Sequence, residues 1–209
     1  MLFRYAPGRS GAFAEQFLDG FGGSFLQCDA YDGYDRMTEV VRPQGPWTLV
    51  HCWSHLRRRF VKLARNSKSP IAEAAIRHIA QLYAIEAMVR GASPDIRLAA
   101  RKEHSLPMVA ALKSWFEKQL SMISSGSTLA EDIRYALNHW QGLTRFLEDG
   151  RLELGRVDDW RGGYRFRGVA VGRQLSLSAG ASFRTMLRFQ SPLVKPGMRI
   201  SRTRLSLDP

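Results

Sequence analysis

Residues 26–34, LQCDAYDGY, put an acid where a short apolar run ends. Asp29 follows Ser24–Cys28, a candidate buried strand, and precedes Tyr31 and Gly33, which favour a turn. An acid at the C-terminal end of a central strand in an α/β sheet opens onto the crevice where ligands bind. Joined by two more carboxylates, it could hold two Mg²⁺ ions. Such a centre activates a water or a 3′-hydroxyl and stabilises both oxygens of an in-line displacement at phosphorus. The other reading of Asp29 is a solvated turn residue.

One strand later, Cys52 and His55 stand at Cys-x-x-His spacing, with His51 just before them. His55 could hydrogen-bond a phosphate or steady a loop. A zinc site built from His51, Cys52 and His55 is a rival reading, although no second ligand pair lies at ordinary spacing. A buried thiol and a histidine at a helix start is a third. Arg57, Arg58 and Arg59 follow at once. Neighbouring helical residues point about 100° apart, so the three cannot all face one row of phosphates. They are either DNA-backbone contacts, each adding salt-sensitive affinity, or a solvated face around Leu56 and Phe60. Trp115, Phe116 and Trp140 read as core rather than as platforms for base stacking.

The elements that must position these residues divide the chain in two. Up to Trp53 the texture alternates. Phe3–Tyr5 is a short strand candidate and residues 11–21 read as a helix. Ser24–Cys28 is a strand, residues 33–41 a short helix, and Trp47–Trp53 a strand again. That is α/β organisation. Residues 55–148 contain no convincing strand. His55–Arg65 is a basic helix. Pro70 stands at a first helical position, followed by an apolar stripe of Ile71, Ala75, Ile79, Leu82 and Met88. Ser93-Pro94 starts a third helix, which Pro107 should kink or break. Thr128–Glu131 reads as a capping box before a helix whose buried face is Ile133, Leu137, Trp140, Leu143 and Leu147. Gly150 stops that helix, and Arg151–Leu154 is a further strand candidate. From Gly155 on, neither period 2 nor period 3.6 is sustained.

Charge narrows the partners. The 209 residues carry a formal net charge of +12. Twelve of the 31 basic residues and four of the 19 acids fall from Arg151 onward, a net of +8 against +4 for the first 150 residues. A polyanion, most often nucleic acid, is the partner that such a balance favours. No apolar run reaches the length of a membrane span and the N-terminus is no signal peptide, so no membrane partner is expected. Two cysteines do not make a disulfide framework, which makes the reducing cytoplasm the expected compartment.

The order of several blocks is more specific than any one of them. FRYAPGRSGAFAEQFLDGF, LQCDAYDGYDRM, TLVHCWSHLRRRF, SPIAEAAIRHIAQLYAIEAMVRG and LAEDIRYALNHWQGLTRFLEDGRLEL together resemble the catalytic region of the IS66-family transposases, from about Phe3 to Leu154. The resemblance implies a DDE transposase with an RNase H-like core, a large helical insertion, and metal-dependent DNA cleavage and strand transfer. Asp29 takes the place of the second of three catalytic carboxylates and of a Mg²⁺ ligand. Cys52 and His55 resemble a signature of several DDE groups and become active-site support, and Arg57, Arg58 and Arg59 become DNA-binding residues.

The domains that follow are a partial core at 1–54 lacking its first strands, an all-α insertion at 55–150, and an irregular, divergent basic tail at 151–209. Two departures stand against full activity. The first acid would lie upstream of Met1, and Trp160 stands where the third, a glutamate, is expected, with Asp158 and Asp159 close by. A frameshift near residue 155 would explain the change of texture. The chain is therefore expected to be an inactive remnant of an insertion-sequence transposase that holds Mg²⁺ weakly. The alternative is a non-catalytic DNA-binding or interaction protein that associates with a full-length transposase or with a second copy of itself. Without the first core strands, Phe25–Cys28 should present an unpaired edge that recruits other chains.

Overall fold

The computed structural model describes residues 5–6 and 10–155, and the backbone of three later strands at 163–170, 173–180 and 185–190. Asp158, Asp159 and Trp160 lie outside the described residues, as does Phe3.

The first half alternates as its texture requires. Strand β1 is Tyr5–Ala6. Helix α1, Gly11–Phe17, is capped by Ser10, whose hydroxyl accepts from Phe13 N. Strand β2 is Phe25–Cys28 and strand β3 is Thr48–His51. They pair in parallel, with Cys28 opposite His51. Between them the expected helix at 33–41 is a 3₁₀ turn over Asp32–Thr38. β3 is also shorter than the expected Trp47–Trp53, because Trp53 already opens a helix.

Apolar packing covers both faces of the β2–β3 pair. Leu26, Cys28 and Leu49 join Ala14, Phe17, Tyr34, Met37 and Trp47 on the α1 side. Val50 and Phe25 belong to a second, larger core shared with the helices that follow. Helix α2, Trp53–Ser67, buries Trp53, Leu56 and Phe60. Helix α3, Pro70–Met88, has Ser69 as its cap and Pro70 in its first turn. Its buried face is Ala72, Ala75, Ile79, Leu82 and Ile85. Met88 is not part of it: this last helical residue is 71% exposed. Phe60 and Phe116 stack with centroids 5.5 Å apart, and Phe116 packs edge-on to Trp140, so these aromatics are core as expected.

Pro107 does not end its helix. Helix α4, Pro94–Ala100, runs through a π-helical turn at Arg101–Ser105 into helix α5, Leu106–Met122. Proline has no N–H to give and its ring crowds the carbonyl four residues back. The wider turn just before it accommodates both, with Leu106 N donating to Arg101 O.

Helix α6, Thr128–Asn138, is capped by Ser127, one residue earlier than the expected box, through a bond from Ala130 N. The single helix expected to run on to Leu147 is divided at His139 into α6, helix α7 at Trp140–Thr144 and a 3₁₀ turn at Arg145–Leu147.

Arg151–Leu154 is not a strand, because its carbonyls have other donors. The guanidinium groups of Arg97 and Arg101 both donate to Leu152 O, Gln27 Nε2 donates to Glu153 O, and Trp53 N donates to Leu154 O. The chain beyond includes strands β4 (Gly163–Ala170), β5 (Arg173–Gly180) and β6 (Thr185–Gln190). The sheet order is β1-β6-β5-β4-β2-β3. β4 lies antiparallel to β2, with Leu26 opposite Gly168, so the edge of β2 expected to be unpaired carries a strand.

Arg101 is the residue on which the return of the chain turns. It is wholly buried and grips Glu86 with two bonds, Nε to Oε1 at 2.6 Å and Nη2 to Oε2 at 2.7 Å. It also donates to the carbonyls of Phe146, Asp149 and Leu152 at 2.9, 3.1 and 2.8 Å. Arg101→Met is expected to cost about 3–5 kcal/mol, because it removes the two closest donors of the Glu86 carboxylate and one donor from each of three carbonyls. Arg101→Lys should recover little, since an ammonium cannot match the planar fork. Urea unfolding of the two variants against wild type checks both.

Candidate active site

The C-terminal ends of β2 and β3 form one small region. Cys52 N donates to Cys28 O at 3.1 Å, which carries the parallel ladder one step past His51. Asp29 follows β2 directly and is 8% exposed. Tyr31 N turns back to Asp29 O at 2.9 Å. The aspartate therefore sits on a tight turn at a strand end, and it is buried there rather than solvated.

Helices α6 and α7 close over these strand ends. His51 Nδ1 lies 3.4 Å from His139 O, and the two imidazoles meet edge-on with centroids 5.2 Å apart. Tyr135, one turn before His139, packs against it with centroids 4.5 Å apart. Gly142 comes so close to His51 that a Cβ there would overlap the imidazole. Burial above all, then the neighbouring His139, pulls His51 down to about 4, and the carboxylate of Asp29 acts the other way. Burial first, then the same Asp29 charge, pushes the Tyr135 phenol up to about 12. Tyr135 is also hydrogen-bonded to the Ala30 backbone. At neutral pH Asp29 thus stands beside a neutral imidazole and a neutral phenol.

Arg59 lies at the border of this region. Its Nε and Nη2 each lie 2.7 Å from Asp132 Oδ1, and its guanidinium lies over the Tyr135 ring, 4.3 Å from the centroid. Burial raises Asp132 more than Arg59 lowers it. Arg59 fastens α2 to α6 beneath Tyr135. Arg57 and Arg58 are half-buried on other sides of α2.

Cys52 is the N-cap residue of α2, with Sγ 2.9 Å from Ser54 Oγ. His55 N donates to Cys52 O in the same turn. Gly155 lies against this turn at φ +119, where a Cβ would overlap Cys52 Sγ. Glycine is required there twice over, by its backbone angle and by the contact. His51, Cys52 and His55 do not assemble as a zinc site: among the described residues no three His, Cys, Asp or Glu side chains are grouped to hold a metal.

The structure thus brings together Asp29, His51, Cys52 and the returning segment 152–155, with Arg59 at their border. Tyr135, His139, Gly142 and Arg145 complete the site beyond the residues expected from the sequence. The i, i+4 spacing of Tyr135 and His139 puts both on one helix face, which was the available signal. Nothing local tied that face to β3.

The transposase IS66 family matches residues 1–182. The chain belongs to the IS66 transposase family. The match continues beyond Leu154, where the blocks of sequence resemblance stop. Uncharacterized protein y4hP of Sinorhizobium fredii is 34% identical over 192 residues, covering 86% of this chain and 34% of that protein. Uncharacterized protein y4qI of the same organism is 37% identical over 157 residues, covering 74% of this chain and 29% of that one. The chain spans about a third of the length of these curated relatives. No solved structure matches. Among the described residues of this IS66-family chain, no helix is long and apolar enough to cross a membrane.

The depressed His51 makes stability depend on pH with a definite sign. Between about 4 in the folded chain and the ordinary 6.5, the unfolded chain takes up a proton that the folded one refuses. The contribution of His51 is therefore whole above pH 6.5 and is lost as pH falls toward 4, on the order of 3 kcal/mol in all. The loss of urea stability between pH 7 and pH 4.5 should be smaller in His51→Gln than in wild type. Equal losses in the two proteins would contradict this placement of His51.

Proposed function

We propose that this chain is an inactive remnant of the DNA-processing part of an IS66-type transposase, with an RNase H-like core, and that Asp29 is the second acid of its catalytic set. The observation that carries the reading is the return of the chain. After the helices of residues 53–147, Leu152–Gly155 comes back to the strand ends that hold Asp29 and His51, with Leu154 O bonded to Trp53 N and Gly155 against Cys52. A third acid supplied just after such a return would begin its path at this site. Strand ends of an α/β sheet, with a parallel pair at the centre of the site, are where ligands of such folds bind.

The family's chemistry implies divalent metal ions. The described residues do not fit a two-metal centre by themselves. Asp29 meets a neutral imidazole and a neutral phenol, and one carboxylate leaves the charge of two Mg²⁺ ions largely uncompensated. Trp160 occupies the position at which the family resemblance expects a glutamate. On this reading the chain binds DNA and does not turn it over, and the inserted helices are a structural clamp around the strand ends. Binding is electrostatic in large part, in keeping with the net charge of +12, and should weaken steeply with salt.

A strand-transfer assay on the purified chain, with Mg²⁺ and with Mn²⁺, tests the inactive state. No joined product is expected with either ion. Product that forms with wild type and disappears in Asp29→Ala would overturn the inactive state while upholding the role of Asp29.

A further inference from the structure

Arg145 is a cation at the strand ends with no ion pair among the described residues. It opens the 3₁₀ turn Arg145–Leu147, one helical turn beyond Gly142, whose backbone touches the His51 imidazole. Its own charge acts on His51, as does that of Asp29. Most of the arginines around it have partners. Arg59 pairs with Asp132, Arg97 and Arg101 with Glu86, and Arg151 with Asp149. Arg145 has no ion pair among the described residues, and its Nε is buried without a hydrogen-bond partner. A buried guanidinium nitrogen with nothing to donate to costs on the order of 1–3 kcal/mol. Folding alone gives no reason to keep it there. An anionic oxygen arriving from outside would satisfy it, and arginine suits phosphate because its planar fork matches two oxygens.

We propose that Arg145 binds a backbone phosphate of DNA at the ends of β2 and β3, beside Asp29. This rests on the reading of the site as DNA-processing and adds to it the group that receives the substrate's charge. The inference separates Arg145 from Arg59, whose guanidinium is already held by Asp132. It also separates it from Arg77, an exposed residue of α3 that faces Glu73.

Titration of a fluorescein-labelled DNA duplex by fluorescence anisotropy, over a series of salt concentrations, tests the assignment. Arg145→Gln should weaken binding about tenfold and lower the slope of log K against log salt by about one. Arg145→Lys should keep the slope and recover part of the affinity. Arg77→Gln serves as the control for loss of a surface charge and should stay close to wild type. Since the Arg145 side chain has no ion pair or hydrogen bond among the described residues, Arg145→Gln should unfold no lower than the wild-type temperature. If it does not, Arg145→Met, whose stem fills the same space, replaces it in the titration. Wild-type affinity and slope in the neutral variant would overturn the assignment of Arg145 alone. A wild-type chain that does not bind the duplex at low salt would overturn the DNA-processing reading and this assignment with it.

Discussion

The buried pair of Arg101 and Glu86 is the constraint on which the rest of the molecule depends. A guanidinium with no exposure to water must have both its charge and its donors answered. Glu86 on α3 answers the charge. The carbonyls of Phe146, Asp149 and Leu152 take further donors, so one side chain ties α3 and the α4–α5 helix to the segment that leads back to the sheet. Arg97, one turn earlier, adds a second bond to Leu152 O and a contact with Glu86. The π turn that presents Arg101 also relieves Pro107. A feature that would weaken a plain helix is here part of the joint.

The site inherits its geometry from that joint. Once Leu152 is fixed, Glu153 and Leu154 meet Gln27 and Trp53, and Gly155 settles against Cys52. The strand ends of β2 and β3 are then bounded by the return segment and by the His139–Arg145 stretch that covers His51. The burial that lowers His51 and raises Tyr135 comes from this enclosure. With two neutral rings beside Asp29, the charged groups of the region are its carboxylate, Arg145 and the Arg59–Asp132 pair. That arrangement is suited to a phosphate diester approached by a cation on one side and an acid on the other.

Local patterns in the sequence announced β2, β3 and the helix starts at Pro70 and Pro94, because turn chemistry, caps and apolar runs are properties of neighbouring residues. Asp29 at a strand end was legible for the same reason. The joint was not. Arg101 reads as one more surface arginine until Glu86, fifteen residues earlier, and Leu152, fifty-one residues later, are brought beside it. Arg151–Leu154 has the composition of a strand, yet side-chain and backbone donors from distant elements take its carbonyls. Pro107 reads as a break, since the preceding π turn leaves no mark in composition. The edge of β2 read as open because the pairing of β4 joins residues 140 or more apart in sequence.

Hydrogen exchange of the intact chain, with and without a DNA duplex at low salt, tests most directly that the strand ends of β2 and β3 are where this family member meets DNA. The account predicts that DNA slows exchange in residues 28–31 and 139–147, with little change along α3. Slowing confined to α3 or to the outer side of α2, with residues 28–31 and 139–147 unchanged, would contradict it.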